Sequence, residues 1–201
     1  MMKSSDLPTT RIEPISVGTE STVVAEYAAP LSSEEGYESE AALERRFIEL
    51  LSSQAYEYLP LRSEEALIEN LRRQLETLNS LIFSDTEWQR FFSEVISSKK
   101  DGIIEKTRRL QRDHIQLLHR DDGTTRNVYL LDKQRIHNNR LQVINQYEPD
   151  TGARATRFDV TILVNGLPMV HVELKRRGVD IREAFNQINR YSVNRTSSYS
   201  L

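Results

Sequence analysis

Two carboxylates and an amine fall within the nineteen-residue stretch RFDVTILVNGLPMVHVELK, Arg157 to Lys175. Asp159 stands at the head of one apolar run, and Glu173 and Lys175 follow a second, Met-Val-His-Val. Half-buried carboxylates repel one another unless a cation offsets them. A hard divalent ion such as Mg²⁺ takes such oxygens together with water and a phosphate. An adjacent ammonium can orient a water molecule and steady negative charge developing at phosphorus. The set suits phosphodiester hydrolysis. The plain alternative is a solvated Glu-x-Lys surface pair worth under about 1 kcal/mol. The placement of both acids against apolar runs weighs against it.

Whether these groups meet depends on the chain reversal between them. Asn165-Gly166 between two alternating runs is a strong hairpin signal, so the runs are neighbouring antiparallel strands. With a two-residue turn kept in register throughout, Asp159 faces Val172, and Asp159 and Glu173 point to opposite sides of the sheet. With an odd loop, or a bulge, Asp159 falls opposite Glu173, and Lys175 comes onto the same face opposite Arg157. Only those two cases assemble a site, and the position opposite Lys175 gives Arg157 a claim to the active face.

The remaining elements must hold that hairpin. Helical spacing of Leu43, Phe47, Leu50 and Leu51 predicts a helix from Ser39 to near Tyr58, just before Pro60. Leu67, Leu71, Leu75, Leu78 and Ile82 predict a second along one stripe. Ser84 and Glu87 have the spacing of a capping box and open a third helix, with Trp88, Phe91, Phe92, Val95 and Ile96 inward. A short basic helix, IIEKTRRLQ, follows. The period then changes to two, with strands expected in HIQLLH, RNVYLL, RLQVINQY, FDVTILV and MVHVELK, and a last helix from about Asp180 to Tyr191. Residues 1–38, with Pro8, Pro14, Gly18 and Pro30, read as an irregular arm. The expected architecture is α/β: one domain over 39–201, a mixed β-sheet flanked by helices, with a helical elaboration at about 62–112.

Composition excludes several chemistries. The 201 residues contain no cysteine, which removes disulfide frameworks, thiol nucleophiles and cysteine-ligated metals and makes the cytoplasm the expected location. No apolar run approaches the roughly 18 residues of a membrane span. The net charge of −3 conceals an asymmetry, −8 over residues 1–100 and +5 over 101–201. A basic half can attract a polyanion, though an excess this small is commonly a solvated surface. His114, His119, His137 and His171 lack the spacing of a ligand cluster. The Gly-x-Ser-x-Gly turn of serine hydrolases is missing.

The spacing Asp159…Glu173-Leu174-Lys175 resembles the PD-(D/E)xK nuclease motif, with Phe158 in place of the proline. The wider set SEAALERRFIELL, VINQY, RFDVTILVNGLPMVHVELKRRG and EAFNQINRY resembles the N-terminal nuclease domain of type I restriction enzyme R subunits over nearly the whole chain. The resemblance implies a PD-(D/E)xK restriction-endonuclease-like fold, with Asp159 and Glu173 as Mg²⁺ ligands, the Leu174 carbonyl as a further one and Lys175 as catalytic lysine. Glu44 resembles the family's helix-borne acid, and its apolar flank of Phe47, Ile48 and Leu51 fits a carboxylate that wants a partner. Glu40, one turn earlier on the same face, is the alternative. Gln187 and Tyr191 match the family's Gln-x-x-x-Tyr motif. At four residues apart they share a helix face, from which they could contact a DNA backbone or the lysine.

The resemblance further implies non-specific cleavage of double-stranded DNA, methyltransferase and specificity subunits as partners, and ATP-driven translocation. ATP enters only through motor domains absent from this chain, because no glycine precedes a lysine and no phosphate cradle forms among the seven glycines. Little cleavage is expected of the chain alone. Two other readings fit the same residues: a non-catalytic DNA-binding or subunit-assembly module, and a stand-alone structure-specific nuclease.

Overall fold

The computed structural model describes residues 12–17, 23–27, 39–98, 100–147, 158–175 and 186. It divides into two compact units, Met1–Tyr37 and Glu38–Leu201. In the first, β1 (Ile12–Val17) pairs antiparallel with β2 (Val23–Tyr27). The expected irregular arm therefore contains a hairpin. Its signal is the β-branched and aromatic content of TVVAEY, and its register shifts between Pro14 and Ser16, where proline cannot donate to a ladder.

The second unit is built on a four-stranded mixed sheet. Its strands are β3 (Glu57–Tyr58), β6 (Leu141–Tyr147), β7 (Phe158–Val164) and β8 (Leu167–Val172), adjacent in that order. β3 runs parallel to β6, and the other pairs are antiparallel. β4 (Ile115–His119) and β5 (Thr125–Tyr129) form a separate hairpin.

On one face lies α1 (Glu40–Ser53), capped by Ser39, whose hydroxyl accepts from the Ala42 amide. Leu51, Val143 and Val160 form the buried cluster there, with Phe47, Ile48, Tyr56, Ile162, Val172 and Leu174 packed around it. The helix ends at Ser53 rather than near Tyr58. Ala55 turns left-handed at φ 68°, and Leu59 N then donates to Val143 O at 2.9 Å, so the chain is drawn onto the sheet edge.

On the other face lies the larger cluster. α2 (Glu64–Asn79) contributes Leu67, Leu71 and Leu75, all buried, while α3 (Asp85–Phe91), a π-helical turn (Phe92–Ile96) and α4 (Ile103–Gln111) bring Trp88, Phe91, Ile96 and Leu110. Full burial of such side chains is worth about 1.5–3 kcal/mol each. The predicted capping box forms: Glu87 N donates to Ser84 Oγ and Ser84 N to Glu87 Oε2. The predicted stripe fails at its end. α2 stops at Asn79, Ser80 turns left-handed, and Ile82 is left 78% exposed. Asn79 instead brackets Tyr129, donating to its carbonyl and accepting from its amide, which ties the β4–β5 hairpin to the helix.

The Asn165-Gly166 corner is built into this core. Both residues have positive φ, 51° and 80°, as the expected tight turn requires. Asn165 is buried; its Nδ2 donates to Leu130 O and Asn139 Oδ1, and its Oδ1 accepts from Arg140 N. A Cβ on Gly166 would stand 2.6 Å from Leu71 Cα, so only glycine lets the turn meet α2 this closely.

Candidate active site

The hairpin register combines the two cases that the sequence separates. Next to the turn, Val164 pairs with Leu167 and Leu163 with Pro168, as a two-residue loop demands. Farther out, Ile162 pairs with Val170, Thr161 with His171 and Val160 with Val172. Met169 is thus the extra residue of a bulge in the edge strand, beside a proline that has no amide to give to the ladder. One step beyond the last pair, this register sets Asp159 level with Glu173. The bulge supplies the parity change on which the site depends.

Glu173, Leu174 and Lys175 lie just past the end of β8, short of the expected strand MVHVELK. The bend lets the Leu174 amide donate to Asp159 Oδ2 at 2.7 Å, closing the two strand ends across one another, while the Leu174 side chain packs in the α1 cluster. The Glu173 side chain is only 2% exposed and accepts at Oε1 from Lys175 Nζ at 2.6 Å. Its Oε2 is buried with no hydrogen-bond partner among the described residues. A carboxylate oxygen in that state costs free energy unless a donor or cation arrives.

The electrostatics agree. Burial pushes the Glu173 carboxyl above the usual glutamate range; the Lys175 hydrogen bond opposes this, and the Asp159 and Glu40 charges reinforce it. Burial alone would depress the Lys175 ammonium, but the Glu173 hydrogen bond and the Glu173, Glu40 and Asp159 carboxylates lift it above the ordinary lysine value. Both shifts favour one more positive charge in the cluster. Two carboxylates and an orphaned oxygen fit a hard divalent ion, since Mg²⁺ commonly rests on one or two carboxylates and fills its other positions with water and phosphate. Among the described residues no group of three or more His, Cys, Asp and Glu side chains surrounds a common point. The described residues that could hold such an ion are the carboxylate pair Asp159 and Glu173.

Glu44 bonds to β6, the strand beside the one that carries Asp159. It is 7% exposed, and both its oxygens are taken: Oε1 accepts from Asn145 Nδ2 at 2.5 Å and Oε2 from Gln146 Nε2 at 2.8 Å. The exposed Glu40, one turn earlier, is the α1 acid whose charge acts on Glu173 and Lys175. Asn145 and Gln146 were given no individual role by the sequence, although two consecutive amides at the end of the apolar strand VINQY are a signal. His171 stacks on Phe158, centroids 3.9 Å apart, and shares a hydrogen bond with Thr161. Arg157, Gln187 and Tyr191 lie outside the described residues.

Comparison with known proteins bears on the whole chain. Residues 37–199 match the family described as type I restriction enzyme R protein N terminus. The chain belongs to this family. The endonuclease subunit of the type I restriction enzyme EcoprrI, from Escherichia coli, is 46% identical over 181 residues, 90% of this chain and 58% of that protein. The SsaAORF53P endonuclease subunit of Staphylococcus saprophyticus is 44% identical over 160 residues, and the SauCOLORF180P subunit of Staphylococcus aureus strain COL is 40% identical over 160. The chain spans 17% of each staphylococcal relative. The matched interval takes in both the helices of residues 64–111 and the hairpin site. No helix among its described residues is long and apolar enough to cross a membrane.

Proposed function

We propose that this chain is the Mg²⁺-dependent nuclease domain of a type I restriction enzyme R subunit, with a PD-(D/E)xK fold, cutting double-stranded DNA without sequence preference of its own. The observation that carries the reading is the buried Glu173 Oε2, without a hydrogen-bond partner among the described residues, level with Asp159 and beside Lys175. Asp159 and Glu173 would hold the ion, with the Leu174 carbonyl as a third donor. When bound, the ion supplies charge that polarises the phosphodiester and makes water a better nucleophile.

The chain's own groups do the rest. Asp159 fixes the turn after β8 by accepting the Leu174 amide, and so sets the two carboxylates against each other. Glu173 Oε1 holds the Lys175 ammonium at the site, where it can align a water or offset charge building on phosphate oxygens. The Glu40 carboxylate adds to the pull on that ammonium and keeps it protonated. Arg157, Gln187 and Tyr191 are proposed contacts to the DNA backbone. Choice of site belongs to methyltransferase and specificity subunits, and delivery of DNA to ATP-driven motor domains outside these 201 residues.

The test is reconstitution of the complete enzyme with Asp159→Ala or Lys175→Ala in the R subunit. ATP hydrolysis is expected to persist while DNA cleavage is lost. Cleavage at the normal rate by either variant would leave a non-catalytic DNA-binding or assembly module as the better reading.

A further inference from the structure

β6 carries an irregularity opposite the site. Asn145 pairs with Val160 and Tyr147 with Phe158, but Gln146, which would face Asp159, is left out of the ladder and turns left-handed at φ 53°. Glutamine has no intrinsic liking for that region, so surrounding contacts must hold it there. Consecutive side chains of a regular strand point to opposite faces. Here both consecutive amides reach one carboxylate, Glu44, 101 and 102 residues away in sequence. The Tyr58 hydroxyl donates to Asn145 Oδ1 at 2.9 Å and ties the same group to β3.

We propose that Glu44, Asn145 and Gln146 form a positioning clamp: the buried Glu44 carboxylate gathers both amides, holds the break in β6, and thereby fixes Asp159 level with Glu173. Glu44 then acts through hydrogen bonds and not as an ion ligand, each of its oxygens being turned to an amide donor of β6. β7 is flanked by two departures from regular pairing, the Met169 bulge on one side and the Gln146 break on the other. The first brings Asp159 onto the face of Glu173; the second sets where along the strand it stays. The inference rests on the site proposed above, but its geometry can be tested without metal.

The Leu174 amide, which donates to Asp159 Oδ2, is the natural reporter. Hydrogen exchange at that amide, against the Leu71 amide as a measure of global opening, is compared in the 201-residue chain and in Glu44→Ala, Glu44→Gln and Gln146→Gly, alongside Mn²⁺ binding by calorimetry. Glycine accepts the left-handed backbone but loses the amide. Glutamine at position 44 keeps an acceptor for Asn145 and can pair with a rotated Gln146 amide. The clamp predicts Leu174 exchange at least about fivefold faster in Glu44→Ala and Gln146→Gly with Leu71 unchanged, and recovery toward wild type in Glu44→Gln. It also predicts that Glu44→Gln keeps Mn²⁺ affinity within about threefold.

Unchanged Leu174 exchange in both Glu44→Ala and Gln146→Gly overturns the clamp. So does loss of Mn²⁺ binding in Glu44→Gln with exchange unaltered, which would make Glu44 a ligand. If the wild-type chain fails to bind Mn²⁺ while Leu174 responds as stated, the clamp stands and the metal reading falls.

Discussion

Glu87 and Glu173 are two glutamates whose side chains are equally hidden, each 2% exposed, and they have opposite electrostatic situations. Glu87 is fully provided for. Its Oε1 meets Arg120 Nε at 2.9 Å and accepts the Asp121 amide, and its Oε2 accepts the Ser84 amide. Among the described residues Glu173 has one partner on one oxygen and none on the other, with like charges from Asp159 and Glu40 around it. Burial alone does not mark a functional carboxylate. The proposed site rests instead on an unmet demand for positive charge at Glu173, a demand that the fold meets at Glu87.

The contrast is open to attack, first through catalysis. Lys175→Ala in the reconstituted enzyme is expected to lower the DNA cleavage rate by about a thousandfold, in the range for removal of a positioned proton-handling or charge-stabilising group; the linear product formed per unit time reads it. Glu87→Ala should leave the chemistry alone and cost about 3 kcal/mol of stability, since it strands Arg120 and two backbone amides. A denaturant midpoint measures that loss. Gly166→Ala attacks the platform and not the acids. Steric conflict with Leu71 and an unfavourable φ of 80° should cost roughly 2 kcal/mol by the same measurement, with Leu71 as the displaced neighbour.

The smallest effect has the opposite sign. Because the Glu173 carboxyl is raised in the folded state, it binds its proton more tightly folded than unfolded. The stability it contributes is present below the ordinary glutamate value and is lost as pH rises through the folded value. At neutral pH the charge works against the fold, so Glu173→Gln should unfold at the same or a slightly higher temperature, whereas Glu87→Gln should unfold lower. A fall in both would erase the distinction between the two residues.

The sequence carried the local parts of this account and left out those decided at a distance. Asn165-Gly166 announces a turn through backbone chemistry alone, and Ser84 with Glu87 announces a capped helix, because both signals are complete within a few residues. The position of the bulge was not legible as such. Pro168 hinted at it, but the extra residue at Met169 is settled by how β8 packs at the sheet edge. Helical spacing placed Glu44 beside an apolar stripe, where it lies, yet gave no access to partners in a strand a hundred residues later. Gln146 gave no sign of its left-handed backbone, since nothing in its chemistry favours it. α1 was drawn too long because no proline or glycine stands before Pro60, while the pull of β6 on Leu59 is tertiary. The hairpin at 12–27 was obscured by the prolines around it. The sheet flanked by helices on both faces was legible from the change of period.

Calorimetric titration of the purified chain with Mn²⁺ or Mg²⁺, set beside Asp159→Asn, Glu173→Gln and Glu87→Gln, goes straight to whether the unmatched oxygen is a place for a cation. Saturable binding that both Asp159→Asn and Glu173→Gln abolish, and that Glu87→Gln leaves intact, is the predicted result. Equal binding by the wild type and Glu173→Gln would contradict it.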